Sequence, residues 1–149
     1  MTPRACRPQF AGYGVPKGPE GMVDWNWARE RLVAAHNYWA STVSPHASPI
    51  WAVWEDDDSL VFSCGSRSRK ARDLAEDPRL VVHLESGAEV VIVEGTAERI
   101  DPHDELMDTY SRKYGPTDPG SGLWYRVRPE RVFAWREADY PASATRFDF

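Results

Sequence analysis

The sequence has little cysteine, no long apolar run and no secretion signal. Its two cysteines, Cys6 and Cys64, are too few for a disulfide framework and form no Cys-x-x-Cys pair. No apolar stretch approaches the roughly 20 residues that a membrane-spanning helix needs. Residues 1–20 are rich in proline and glycine and lack the apolar centre of a signal peptide. These absences predict a protein of the reducing cytoplasm without a membrane span.

The motifs of metal sites and of side-chain catalysis are also missing. The four histidines show neither His-x-His nor His-Glu-x-x-His spacing, so the sequence predicts no metal site. There is no Gly-x-Ser-x-Gly elbow, and Cys64 has no histidine near it in sequence, which favours a structural thiol. The three carboxylates of residues 56–58 are interpreted as a solvated loop. Such a chain fits an enzyme whose chemistry belongs to a bound cofactor.

Charge and composition narrow the class of protein further. The 149 residues are 42% hydrophobic and 28% charged, which is typical of a globular chain. The net charge of −5 argues against a general nucleic-acid binder, because such a protein needs a broad basic surface. Residues 1–21 hold four prolines and four glycines and are predicted to form an irregular arm. Residues 22–149 are predicted to form a single domain.

The hydrophobic pattern predicts six or seven strands with two or three helices inserted between them. The predicted strands lie at about 38–43, 49–55, 59–63, 80–84, 89–99, 123–128 and 131–136, and a polar and aromatic tail follows them. Gly95 is expected to kink or bulge its strand, and Pro129-Glu130 to separate the last two. The predicted helices run from the N-cap Asp24 to about residue 37, over 69–76, and from the N-cap Asp101, with Pro102 in the first position, to residue 114. Short turns favour antiparallel pairing in a closed or partly closed barrel, and no Gly-x-Gly-x-x-Gly supports a Rossmann domain.

The stretch from Ser59 to Glu85 carries the main candidate site. Three cations and three hydroxyls fall within eight residues at the predicted start of its helix: Ser63, Ser66, Arg67, Ser68, Arg69 and Lys70. Free backbone N–H groups and the helix dipole favour an anion at such a position. Basic side chains in a first turn oppose the dipole, so we interpret this stretch as a phosphate clamp. The alternative is a solvated basic face.

A second stretch, His46 to Trp51, borders the predicted hairpin. Pro49 has no N–H and suits a strand edge, where a ligand can approach the backbone. The alternative is a plain hairpin turn over residues 44–48.

The order of these motifs resembles the pyridoxamine 5′-phosphate oxidase-like split β-barrel family. The resemblance rests on HASPIWAVW (46–54), LVFSCGSRSRKARDLAEDPRLVVHLE (60–85), VVIVEGTAERI (90–100) and YRVRPERVFAW (125–135). The chain is most similar to the actinobacterial branch of flavin- or deazaflavin-dependent oxidoreductases. The resemblance therefore implies a mainly β (α+β) fold, an antiparallel split β-barrel with peripheral helices.

This resemblance also implies a cofactor and the residues that bind it. Such proteins are homodimers with the cofactor in a groove at the subunit interface. The phosphate would contact Ser63, Ser66, Ser68, Arg69 and Lys70, and the ring would lie along the backbone of Pro49, Ile50 and Trp51. The 8-hydroxy-5-deazaflavin coenzyme, F-420, is favoured, with FMN as the alternative. The implied reaction is hydride transfer between the ring and a small unsaturated substrate.

Two departures from the family pattern bear on this expectation. Asp73 stands where the family often has asparagine, and a carboxylate near a phosphate weakens binding unless Arg69 or Arg72 pairs with it. The hairpin between Val43 and His46 is shorter than the family pattern, and it borders the ring site.

Other functions remain open on the sequence alone. A non-catalytic carrier, or a haem or tetrapyrrole binder with His46 or His83 as the iron ligand, could use the same groove. Oxidation of pyridoxamine phosphate is less favoured, because the tail has no second basic cluster for a substrate phosphate.

Overall fold

The computed structural model describes residues 2–149 as nine strands, three α-helices and two short 3₁₀ helices. The strands are β1 Arg4–Cys6, β2 Tyr38–Thr42, β3 His46–Ile50, β4 Ala52–Trp54, β5 Leu60–Cys64, β6 Arg79–His83, β7 Glu89–Ile100, β8 Leu123–Arg136 and β9 Thr145–Asp148. The helices are α1 Trp25–Ala34, α2 Arg69–Glu76 and α3 Asp104–Tyr114, with 3₁₀ turns at Pro119–Ser121 and Glu137–Asp139. Every strand pairing is antiparallel, which confirms the mainly β, split-barrel class.

The sheet is organised around the long strand β8. Its neighbours follow the order β1-β9-β8-β7-β6-β2-β3, and β5 pairs with both β8 and β4. Strands β3 and β4 are separated only by Trp51, yet β3 pairs with β2 whereas β4 pairs with β5. The ring of strands would close only through the backbone of Trp51, so the hydrogen-bonded sheet is not closed. The barrel is split at that residue.

Two apolar clusters hold the sheet and helices together. The larger one fills the barrel and includes Tyr38, Phe62 and Phe147, each fully buried. The smaller one joins the outside of the barrel to α3 through Val53, Val61, Leu106, Tyr110 and Trp124. Strand β5 faces both clusters, which explains its continuous apolar run of Leu60, Val61 and Phe62.

Several local predictions are confirmed because short-range chemistry fixes them. Helix α2 spans the predicted residues, and the Ser68 hydroxyl caps it by accepting from Ala71 N at 3.2 Å. Asp24 caps α1 by accepting from Trp27 N at 2.8 Å, although this helix ends at Ala34 rather than near residue 37. The predicted irregularity at Gly95 is also present as a β-bulge between β7 and β8. A Cβ there would lie 2.3 Å from the Arg128 carbonyl oxygen, so the close approach requires glycine.

Three boundaries differ from the prediction. Strand β3 begins at His46, so the predicted 44–48 turn is a three-residue loop over 43–45. Helix α3 is capped by the side chain of His103, which accepts from Leu106 N, and not by Asp101. Strand β8 continues through Pro129-Glu130, because the bulge opposite Gly95 accommodates the extra residue and the missing proline N–H.

The two ends of the chain add to the sheet. The predicted polar tail contains β9, which pairs with β8 and with β1 from the arm. The count of nine strands exceeds the predicted six or seven partly for this reason. Arg7 also fixes the arm by donating to four backbone carbonyls, those of Gly18, Glu20, Ala142 and Ala144. Over residues 2–149, none of the helices combines the length and the hydropathy that crossing a membrane requires.

Candidate functional site

An open pocket of about 410 Å³ lies between the start of α2 and the break between β3 and β4. Its lining includes Asn37, Pro49, Ile50, Trp51, Ser63, Cys64, Gly65, Ser68, Lys70 and Tyr110. Six of the eight residues named from the sequence therefore meet at one pocket. The other two, Ser66 and Arg69, lie outside its lining.

The cationic end of this pocket is formed by the first turn of α2. Lys70 Nζ donates to the Ser48 hydroxyl at 2.8 Å, and Arg69 Nε donates to the Ser44 hydroxyl at 3.1 Å. Neither cation pairs with a carboxylate in the part of the chain that the structure describes. Both contacts are to neutral hydroxyls of the β2–β3 hairpin, so neither cation is neutralised by a direct ion pair.

Asp73 forms no ion pair with Arg69 or Arg72 within the described residues, the pairing that would offset its charge near a phosphate. Its Oδ2 accepts from the Thr42 hydroxyl at 2.7 Å and from the Ser44 hydroxyl at 2.6 Å. These two hydrogen bonds, with the charge of Arg69 nearby, lower the pKa of the Asp73 carboxyl. Asp73 is absent from the pocket lining and instead attaches α2 to the short hairpin.

The opposite end of the pocket is aromatic. Trp51 keeps 47% of its surface exposed and stacks on Tyr114, with ring centroids 4.7 Å apart and planes 7° from parallel. Tyr110 meets the ring of Trp124 edge-on at 5.0 Å. The pocket thus joins one cationic and one aromatic end, the combination that suits a ring carrying an anionic group.

The break in the barrel is held from outside by α3. The Tyr114 hydroxyl accepts from Ala52 N at 3.0 Å and lies 2.7 Å from the carbonyl oxygen of His36. Lys113 Nζ donates to Ala52 O at 2.8 Å and to the Tyr38 hydroxyl at 3.0 Å. Burial lowers the pKa of Lys113 to about 8 and raises that of Tyr114 to about 12.

A family model described as pyridoxamine 5′-phosphate oxidase matches residues 28–136, which run from α1 to the end of β8. The chain belongs to the pyridoxamine 5′-phosphate oxidase family. Membership confirms the resemblance drawn from the order of motifs. No curated protein sequence matches the chain.

Solved structures share the fold of this family member. The conserved hypothetical protein Rv2991 of Mycobacterium tuberculosis is 19% identical over 81% of this chain and 89% of its own, with a TM-score of 0.68. An F420 reductase is 19% identical over 69% of this chain and 94% of its own, with a TM-score of 0.57. A FAD-binding protein of Mesorhizobium loti is 14% identical over 85% of this chain and 96% of its own, with a TM-score of 0.58. At these identities the likeness shows the fold alone.

Within this member of the pyridoxamine 5′-phosphate oxidase family, Lys113 and Tyr114 are the residues near the pocket whose contacts the sequence did not reveal. The apolar face of α3 predicted packing for Tyr114, but nothing in the pattern connected either side chain with Ala52. The two histidines considered as iron ligands, His46 and His83, lie outside the pocket lining. His83 Nδ1 is 2.7 Å from the carbonyl oxygen of Leu84 and donates to it.

Proposed function

We propose that this chain is an oxidoreductase that binds a phosphate-bearing flavin-type cofactor, with the 8-hydroxy-5-deazaflavin coenzyme F-420 favoured over FMN. The observation that carries the proposal is the pocket itself, whose lining combines Lys70 of the helix start, which has no direct ion pair within the described residues, with the exposed indole of Trp51. The family match and the F420 reductase and FAD-binding protein of the same fold support this class of cofactor.

The residues present fit such a cofactor. Lys70 and the hydroxyls of Ser63 and Ser68 would hold the phosphate, since charged and neutral donors at a helix N-terminus stabilise an anion. Arg69, outside the lining, would contribute charge from the same turn, whereas Ser66 lies at a separate cavity. The volume of about 410 Å³ lies within the range of about 300–1,000 Å³ typical of ligand sites.

The ring would lie along Pro49, Ile50 and Trp51, where the backbone leaves its pairing with β2 and begins its pairing with β5. Trp51 stands outside both strand pairings, and its indole is backed by Tyr114. This arrangement provides a flat and largely apolar wall, which orients a ring and excludes water from one face.

When bound, a flavin or deazaflavin ring supplies hydride transfer to or from a small unsaturated substrate. The side chains of this pocket would bind, orient and shield the reactants. A homodimer with the groove at its interface is part of the proposal, and the open shape of the pocket leaves room for a second subunit to cover it.

The test is a titration of the cofactor-free protein with coenzyme F-420 and, separately, with FMN, followed by tryptophan quenching. Lys70→Met should weaken binding of the favoured cofactor by about tenfold or more, since a charge-assisted hydrogen bond contributes about 1.5–3 kcal/mol. Lys17→Met, at an exposed lysine of the arm, is the matched control and should bind normally.

Each outcome has a distinct meaning. Tighter binding of FMN would assign the chain to the FMN-dependent side of the family. Binding of neither compound, or equal binding by the Lys70 variant, would refute the proposed site. Binding of haem that Lys70→Met leaves unchanged would favour the non-catalytic alternative.

A further inference from the structure

A second cavity, of about 340 Å³, opens beside the same turn that precedes α2. It is lined by Ser66, Ala71, Arg72, Leu74, Ala75, Ala97, Arg99, Leu123 and Tyr125. It shares no lining residue with the 410 Å³ pocket. Ser66 lies at the second cavity, whereas Gly65 and Ser68 of the same turn lie at the first, so the turn separates them.

Arg72 and Arg99, the two arginines of this cavity, are exposed and have no protein acceptor within residues 2–149. Over the same residues, nine arginines form ion pairs with aspartate or glutamate. In contrast, neither Arg72 nor Arg99 forms an ion pair or donates a side-chain hydrogen bond anywhere within residues 2–149. In an acidic chain with a net charge of −5, two such cations at one cavity are a local excess of positive charge.

The cavity also offers hydroxyl donors and an apolar wall. Tyr125 is only 4% exposed, its ring stacks on Phe62 at 5.4 Å, and Arg99 lies over it at 5.8 Å. The Tyr125 phenol is a hydroxyl donor at neutral pH, and burial raises its pKa further. The Ser66 hydroxyl is a second donor, and Leu74, Ala97 and Leu123 supply apolar surface.

We propose that this cavity is a binding site for a small organic anion, a carboxylate or a phosphate monoester with an apolar body. The planar guanidinium groups match the oxygens of either anion, and the two hydroxyls add neutral donors. The apolar body would pack against Leu74, Ala97 and Leu123. The site is separate from the proposed cofactor pocket, so it stands or fails independently of it.

Phenyl phosphate and benzoate are suitable probes, with inorganic phosphate to measure the contribution of the charged group alone. Calorimetric titration of the wild-type protein should show that at least one organic probe binds more tightly than inorganic phosphate. Arg99→Met and Arg72→Met should each weaken that probe by about tenfold, as expected for loss of one charge-assisted contact. Arg112→Met removes an exposed arginine of α3 that forms no ion pair in the described chain, and it should leave binding unchanged.

The same titration separates the two cavities. Because the proposed cofactor pocket would itself accept a phosphate monoester, that pocket is first saturated with FMN or coenzyme F-420, and the probe binding that depends on Arg72 and Arg99 should remain. The preferred probe identifies the anion, since tighter phenyl phosphate binding indicates a phosphate monoester and tighter benzoate binding a carboxylate. Absence of binding up to about 10 mM, loss of all probe binding in Lys70→Met, or displacement of all bound probe by a flavin would each overturn the proposal.

Discussion

The pH dependence of the free energy of unfolding should report the contacts by which Lys113 attaches α3 to the split barrel. Its half-buried ammonium group contacts Ala52 O and the Tyr38 hydroxyl, and burial lowers its pKa from 10.5 to about 8. The folded protein therefore releases this proton near pH 8, while the unfolded chain keeps it until about pH 10.5. Between these values the unfolded state binds more protons, so the free energy of unfolding should rise with pH.

The magnitude follows from the difference between the two pKa values. Without solvent screening, this pKa difference corresponds to about 3 kcal/mol in the free energy of unfolding. Because the side chain is only half-buried, solvent screening reduces the effect, and we expect about 1–2 kcal/mol. Lys113→Met keeps a flexible apolar stem but removes the titrating group, so this variant should lack the gain. Ala52 O keeps the Tyr114 hydroxyl as a donor, and Tyr38 keeps its hydrogen bond to Leu32 O, which limits other damage.

Urea unfolding of both proteins at pH 7, 8, 9 and 10 measures this difference. The wild type should gain stability relative to Lys113→Met across this range, and comparison of the two removes groups that titrate in both. Lys17→Met serves as a control and should follow the wild type. A difference between wild type and Lys113→Met that stays constant from pH 7 to pH 10 would refute the assignment of a buried, titrating amine to this position.

Two further predictions concern the contacts that frame the pocket. Tyr114→Phe keeps the stack on Trp51 but leaves the buried Ala52 N–H without its acceptor. Urea unfolding should therefore show a free energy of unfolding lower by about 1–3 kcal/mol. A loss no larger than that of the exposed control Tyr13→Phe would contradict this prediction. Asp73→Ala should lower the urea midpoint at pH 7, because the hairpin loses its acceptor on α2. This loss should fade as pH falls through the lowered pKa of Asp73, and a pH-independent loss, or one matched by Asp108→Ala, would be inconsistent with it.

The features that the sequence predicted well are those fixed by neighbouring residues. Ser68 caps α2 through a hydrogen bond three residues away, and the strand β5 follows from its apolar run. The continuity of β8 could not be predicted in the same way. It depends on Gly95 lying opposite Pro129, a pairing between distant parts of the chain. Strand β9 has only four residues, too few for its alternation to stand out from the aromatic tail.

The prediction of the site likewise separates features set by neighbouring residues from features that depend on distant contacts. Lys70 and Arg69 are neighbours in sequence, but successive residues of a helix point about 100° apart. Lys70 therefore lines the pocket, whereas Arg69 reaches Ser44 of the hairpin. The string of residue types pointed to a turn that borders the pocket, without distinguishing the faces of that turn. The contacts of Lys113 and Tyr114 with Ala52 span about 60 residues, beyond any local pattern.

The split at Trp51 has a mechanical consequence. In a closed barrel every strand is restrained by neighbours on both sides, so distortion at one point is shared around the ring. Here no strand ladder joins β3 to β4 across Trp51, and side chains from α3 supply the contacts at this point instead. The seam of the barrel is thus also one wall of the pocket. A ligand that packs against this wall would restrain the seam. The hydrogen-exchange rate of the Ala52 amide would then report ligand binding from the side of the wall that faces α3.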